Sequence, residues 1–497
     1  MAEEGKAKTG LLGKGKGEAP WWAEVCRESG PIPCGTTSDG WPPRDGTEEA
    51  SIPPSHLSTR SSLTASSSTV RCVPSPTRTL SPFPFPKQMP LSWLLLPLLL
   101  LLSPARAADS AFALAGCRVV TAAGPDIASG LVVVRGGRID SVGPWVRGQE
   151  PAGVDVIDAS GRVLAPSFVH PATRLGLRDE QGGGDDSVEP TRTAATELNP
   201  WLPANSWTAA NGFATLGLLP SRGLVGGRGV AVRSAAASIE SMVRKDDAFV
   251  RCDVSGNSKF PGALSAALAA ARGDLDAQAK YDKDLAEWTA AKAKAEAEKQ
   301  PVPKEPEKPK PDAAREAYRK VLRGDSALLV TCDGSADVHL VTTALADERV
   351  RGRALRLAVV CGGESYRAAG ELADVGALCL VRAGVVNWPN STDRVCPAAV
   401  LRNAGCRVAL LPRDDSRNGL RDFPLTLAQS VRAGFPRDEA LRAATATAAD
   451  VLGLASDIGT IEKGRRADLV LWTADPLAAA PRIEKTWIDG QIVEETP

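Results

Sequence analysis

The sequence predicts an α/β protein: a parallel sheet or barrel with β-rich segments at both ends. Two observations carry this reading. Between about residues 164 and 456, short apolar runs such as "LLVTC", "LAVVC", "ALCLV" and "VALLP" alternate with helical stretches, which is the βα signature. Outside that region, short Val- and Ile-rich pieces are separated by tight turns instead. The length of 497 residues and an apolar content of 43% allow two or three domains, or one large barrel with an accessory domain. The 59 basic and 59 acidic residues cancel, so charge gives no argument for a nucleic-acid or anionic-membrane partner.

Residues 1–88 mix charged, Pro-rich and Ser-rich pieces with no apolar periodicity, and are expected to be disordered. "MPLSWLLLPLLLLLSPARAADS" follows. An apolar run opens after Met89, and Ala105-Arg106-Ala107 forms an A-x-A cleavage signature. Residues 89–107 thus read as a secretory signal peptide, too short for a spanning helix. The expectation is a true start at Met89, a mis-assigned upstream extension, and a periplasmic or secreted mature chain with no membrane span. The Ala-, Gly-, Arg- and Leu-rich composition fits a high-GC bacterial genome.

From 108 to 163 come "CRVVTAA", "GLVVVRGGRIDSVGP" and "VDVIDASGRVLAP", with Gly136-Gly137 as a hairpin turn. From 457 to 497, "GTIEKGRRADLVLW" and "RIEKTWIDGQIVEE" are further strands, with Asp489-Gly490 marking the last hairpin. Inside the middle region, residues 275–312 stand apart. "LDAQAKYDKDLAEWTAAKAKAEAEKQ" is rich in helix formers with charges at helical spacing, and "PVPKEPEKPKP" is a stiff extended linker. A charged helical excursion of this kind reads as a solvated surface feature, or as an arm that binds a partner. Seven cysteines lie between Cys117 and Cys406, mostly in apolar runs, where they read as small buried hydrophobes. A disulfide between Cys396 and Cys406 has no support beyond proximity in sequence.

"GGRIDSVGP", "VIDASGRVLAPSFVHP", "DEALRAATATAADVLGL" and "GTIEKGRRADLVLW", in this order and at both ends of the chain, resemble the amidohydrolase superfamily, in particular its imidazolonepropionase-like and dihydroorotase-like branches. The segment "NPWLPANSWTAANGFATLGLLPSRGLVGGRGVAVR" is similar to bacterial members as well. The resemblance covers nearly all of residues 111–494. It implies a distorted TIM (β/α)8 barrel over residues 164–456. It also implies a small β-sandwich domain formed by the N- and C-terminal strands, 108–163 with 457–497. It further implies hydrolysis of C–N, non-peptide bonds with one or two divalent metals, usually zinc. The metals would sit on an H-x-H pair, a carboxylated Lys, two further His and an Asp at the strand tips.

Those positions are changed here. The H-x-H pair becomes Ala172 and Arg174, with His170 in place of the family's Asp. Arg251 is the best match to the Lys, Cys361 stands at a ligand His, and Arg413 aligns with the general-base Asp. Ala has no donor atom, and a guanidinium is cationic at any useful pH. The chain holds only His56, His170 and His339, too few for the usual set. The resulting expectation is a pseudoenzyme with no cofactor, kept as a binding or scaffold protein, with a small-molecule ligand in the barrel mouth as its partner. The alternative is an active hydrolase whose metal sits on a replacement set, His170, Cys332, Asp333, Cys361, Glu364 and Asp414, all near predicted strand ends. Substrate and oligomeric state are not legible.

Overall fold

In the computed structural model, residues 111–493 are described apart from 149, 178–187, 221–222, 237, 255, 347, 349–354 and 389. The expected disordered segment 1–88, the signal peptide 89–107 and His56 lie outside the described residues.

Five strands open the chain: β1 (Phe112–Val119), β2 (Ile127–Arg135), β3 (Arg138–Pro144), β4 (Asp155–Asp158) and β5 (Val163–Pro166). Eight strands then build the central sheet. They are β6 (Phe168–Thr173), β7 (Phe213–Leu218), β8 (Val225–Arg233), β9 (Val243–Asp253), β10 (Ala327–Cys332), β11 (Leu357–Cys361), β12 (Leu378–Arg382) and β15 (Arg407–Leu411). The sheet runs β15-β12-β11-β10-β9-β8-β7-β6. Every neighbouring pair is parallel except β7–β8 and β8–β9, because β8 runs against both. That reversed strand is the distortion of the barrel. Glycine makes it fit: a Cβ on Gly229 would lie 2.0 Å from the Phe249 ring. A small hairpin, β13 (Val386–Asn387) and β14 (Arg394–Val395), rises from the loop after β12.

Strand alternation sorts the side chains into two layers. Val169, Phe249, Leu329, Ala358, Leu380, Ala409 and Leu411 form one core, closed by Ala448, Ala449, Val451 and Leu452 from the helical segment Ala446–Val451. That segment plugs the amino-terminal end of the strands, where Arg407 just ahead of the β15 core reaches Asp450 at 2.6 Å. The alternate residues, among them Phe168, Phe213, Val250, Leu328, Val330 and Val359, pack outward against the surrounding helices. Phe168, Phe213 and Phe423 meet there, with ring centroids 5.0–5.4 Å apart.

The two ends of the chain share one eight-stranded sheet, completed by β16 (Leu469–Trp472), β17 (Ile483–Ile488) and β18 (Gln491–Ile492). β16 pairs antiparallel with β5, Leu471 opposite Leu164. The two hairpin turns seen in the sequence abut: Gly137 has φ +75°, and a Cβ there would lie 2.7 Å from the Asp489 carbonyl oxygen. One buried and one half-buried ion pair join this sheet to the barrel. Arg244 of β9 reaches Asp468 at 2.9 Å, and Arg233 of β8 reaches Asp489 at 2.9 Å.

The excursion is longer than its charge pattern suggested. Its helix, α1, spans Phe260–Glu298, and its first half buries Phe260, Leu264, Leu268 and Ala271 at helical spacing. The distal half carries the proline-rich return on one face. Trp288 Nε1 donates to the Pro303 carbonyl at 2.8 Å, and Lys292 stacks over the same indole. Arg315 and Arg319 then clamp the returning chain to Asp274 at 3.0 and 2.7 Å. No helix of the described residues is long and apolar enough to cross a membrane.

Candidate functional site

The carboxyl ends of the barrel strands place the resemblance-derived positions at one mouth, although not in one constellation. His170, in the middle of β6, is 2% exposed. Its Nε2 lies 3.0 Å from Oδ1 of Asp415, in the loop after β15. The same carboxylate accepts Thr173 Oγ1 at 2.6 Å and the Arg174 amide at 3.3 Å through Oδ2. Burial works to raise the Asp415 pKa. The hydrogen bond and charge of His170, with the bonds from Thr173 and the Arg174 amide, outweigh it and push the pKa down to about 2. His170 Nδ1 is buried without a hydrogen-bond partner.

Asp415 was not among the sequence candidates, which offered Arg413 and Asp414. The reason is local. Ser416 caps the helical turn Arg417–Arg421 by accepting from the Gly419 amide at 3.0 Å. Asp414 is tied to that cap, accepting the Ser416 amide at 3.0 Å. Arg413 is 70% exposed and pairs with its neighbour Asp414. Asp415 is left to turn toward β6. The doubled Asp in "PRDDS" is the only signal for it in the sequence.

Two guanidiniums occupy the mouth. Arg251 is buried on β9 and donates to the Pro220 carbonyl at 2.7 Å and to Asp253 at 3.3 Å. Arg174 donates to the Leu219 carbonyl at 3.2 Å and lies 3.7 Å from Glu197, which also holds Arg192 at 2.9 Å. Ala172 belongs to the inner core. Cys332 and Cys361 end their strands on the other parity and pack in the outer layer toward the helices. Burial and the neighbouring Cys361 hold the Cys332 thiol far above its ordinary range. Glu364 is spent on Arg367 at 2.8 Å. The backbone amides of Asp333 and Gly334 donate to Asp337 at 2.8 and 3.1 Å, which starts the next helix, Ser335–Ala344. His339 is solvent-exposed on that helix, 3.5 Å from Glu371.

Comparison with known proteins gives this geometry its family. Residues 392–493 match the amidohydrolase family. An imidazolonepropionase of Sphingopyxis alaskensis is 34% identical over 116 residues, 22% of this chain and 28% of that protein. Another, of Rubrobacter xylanophilus, is 36% identical over 115 residues, 23% of this chain and 26% of its own length. The matched segments thus span less than a third of either relative. The crystal structure of an amidohydrolase from Thermotoga maritima MSB8 superposes with a TM-score of 0.59 at 22% identity, covering 77% of this chain and 99% of that one. The family match and the two relatives support the amidohydrolase superfamily, and the solved structure shares the distorted barrel and accessory β domain.

This similarity corrects one expectation. The sequence reading expected no cofactor, but members of the family it matches normally bind metal, and that finding overturns the expectation. The donor set can be tested against that requirement. Among the described residues, no group of three or more His, Cys, Asp or Glu side chains is placed to hold a metal ion. His170 and Asp415 face each other as a pair, whereas a catalytic zinc takes three protein ligands and a water. The residues at the mouth do not complete the family's ligand set.

Proposed function

We propose that this chain is an amidohydrolase-family protein that no longer performs the family's C–N bond hydrolysis and acts instead as a binding or scaffold protein. One observation carries the reading: guanidiniums stand in the mouth where the resemblance places metal ligands, and they are hydrogen-bonded to strand-tip carbonyls. Arg251 is held by Pro220 and Arg174 by Leu219. A guanidinium so placed repels a divalent cation and offers it no lone pair. The His170–Asp415 pair adds support, because Thr173 and the Arg174 amide already use the carboxylate oxygen that His170 leaves open.

The partner proposed for the mouth is a small molecule. The signal-like segment 89–107 further supports export to the periplasm of a bacterial host. The test is direct. The full chain is purified, its metal content is measured by mass spectrometry, and turnover of cyclic amides, ureas and dipeptides is assayed with and without added zinc. No turnover under either condition is the expected result. Zinc-dependent turnover that disappears in Asp415→Asn would sink the reading.

A further inference from the structure

A cleft of about 690 Å³ lies between the shared terminal sheet and the side of the barrel. Small-molecule sites commonly fall in this size range and at such junctions. The sheet supplies Trp472 of β16, Ile483 of β17 and the Pro481-Arg482 stretch between them. The barrel side supplies Asn211, just ahead of β7, together with residues of the helical turn Arg417–Arg421 and the start of the helix Phe423–Arg432. His170, Arg174, Arg251 and Asp415 do not line it, so the cleft is separate from the mouth.

Its charge is unbalanced. Three guanidiniums, Arg417, Arg421 and Arg482, face the single carboxylate of Asp422. Arg417 and Arg421 stand four residues apart in one helical turn and so share a face, where like charges repel. Arg421 Nε donates to Asp422 at 3.1 Å, which engages the one carboxylate present. Arg482 is exposed and has no ion-pair partner among the described residues. A second cleft gives the contrast: there Arg118, Arg437 and Arg442 face Asp126, Asp438 and Asp475, and the charges cancel. Beside the cations lies an apolar surface made by Leu425, which is 42% exposed, with Pro424, Pro481 and Ile483. Trp472 completes the lining, and its Nε1 is buried without a hydrogen-bond partner. Buried N–H groups are ordinarily satisfied by protein, water or a bound ion. Excess guanidinium beside exposed apolar surface suits an amphiphilic anion. Guanidiniums take a carboxylate through parallel hydrogen bonds, and an apolar body would cover Leu425. A bare phosphate would use the cations and leave the apolar surface in water. We propose that this cleft binds a small organic carboxylate with an apolar body, the carboxylate on Arg421 and Arg482 and the body against Leu425, Pro481 and Ile483.

Isothermal titration calorimetry of the full chain at low ionic strength tests this, with 2-naphthoate as the probe. The expected result is one molecule of 2-naphthoate bound per chain. The neutral 2-naphthamide should bind about tenfold more weakly or worse, and so should inorganic phosphate, which lacks the apolar body. Arg482→Ala should weaken 2-naphthoate binding by about tenfold, the loss that one charge-assisted hydrogen bond implies. Its thermal melt should match the parent, because the exposed side chain leaves no ion-pair partner stranded. Arg442→Ala removes a cation from the balanced cleft and should leave binding unchanged. Absence of 2-naphthoate binding overturns the proposal, as does equal affinity for the amide or for phosphate. Undiminished binding in Arg482→Ala, or an equal loss in Arg442→Ala, overturns it too, since the anion would then be held elsewhere or by net charge alone.

Discussion

Arg251→Met isolates the charge held inside the barrel mouth. The guanidinium is buried and bonds the Pro220 carbonyl at 2.7 Å and Asp253 at 3.3 Å. Methionine fills a similar volume but returns neither bond. A hydrogen bond from a charged donor is worth about 1.5–3 kcal/mol. The larger cost falls on Asp253, itself 6% exposed, whose negative charge stays behind. Removing one partner of a buried ion pair typically costs about 3–5 kcal/mol, about 4 at the middle of that range. Unfolding entropy of roughly 2.1 cal/mol/K per residue over about 380 residues gives about 0.8 kcal/mol/K, so the melting temperature should fall by about 5 °C. The double variant Arg251→Met with Asp253→Leu removes the stranded charge and should regain most of that loss. Differential scanning calorimetry of the two variants and the parent reads both numbers. A single variant within about 1 °C of the parent, or a double variant less stable than the single, would show that the guanidinium is not compensating Asp253 as described.

Three further outcomes follow from the same structure. Asp415 is depressed to about 2, so its contribution is complete above the ordinary carboxylate pKa near 4 and is lost as pH falls through the folded value. The melting-temperature gap between the parent and Asp415→Asn should therefore be flat from neutral pH to about 4.5 and close toward pH 2, with solvent on its open face limiting its size; a gap independent of pH contradicts the pairing with His170. Gly137→Ala meets the Asp489 carbonyl and a left-handed backbone, whereas Gly161→Ala meets the same φ of +75° with nothing within 4 Å. Thermal melts should show Gly137→Ala costing about 1–3 kcal/mol and Gly161→Ala about 1, and equal costs would argue against the turn-to-turn contact. Trp288→Ala removes the anchor of the proline-rich return, so limited proteolysis should cut within 299–312 faster while calorimetry of the barrel is unchanged; an unaltered digestion pattern refutes that anchoring role.

The fold was legible where pattern and physical period agree. The alternating middle became the barrel, and the β-rich ends became one sheet, although their pairing came from the family resemblance and not from spacing. The reversed strand β8 was hidden because its glycines, Gly226, Gly227 and Gly229, give no strand periodicity; Gly229 is there to clear the Phe249 ring. The start of α1 was missed because its first half is apolar and the charge pattern begins only after Ala271. At the mouth, the absence of ligands at Ala172 and Arg174 was plain from residue type. Asp415 was not, since a neighbouring cap decides which of two adjacent carboxylates turns inward. The outward direction of Cys332 and Cys361 was readable in principle: Leu328, Val330 and Cys332 share one face of a strand, and Leu357, Val359 and Cys361 share another.

Because β5 has β1 on one edge and β16 on the other, its second edge waits for one of the last strands made on the ribosome. At roughly 5–20 residues per second, the stretch between Leu164 and Leu471 takes about 15–60 s to synthesise. For that interval the edge of β5 that faces β16 stays open beside a finished run of apolar side chains, the kind of surface that invites association with other nascent chains. A C-terminal truncation before Leu469 would make that exposure permanent, so the last few dozen residues govern whether the chain survives its own synthesis.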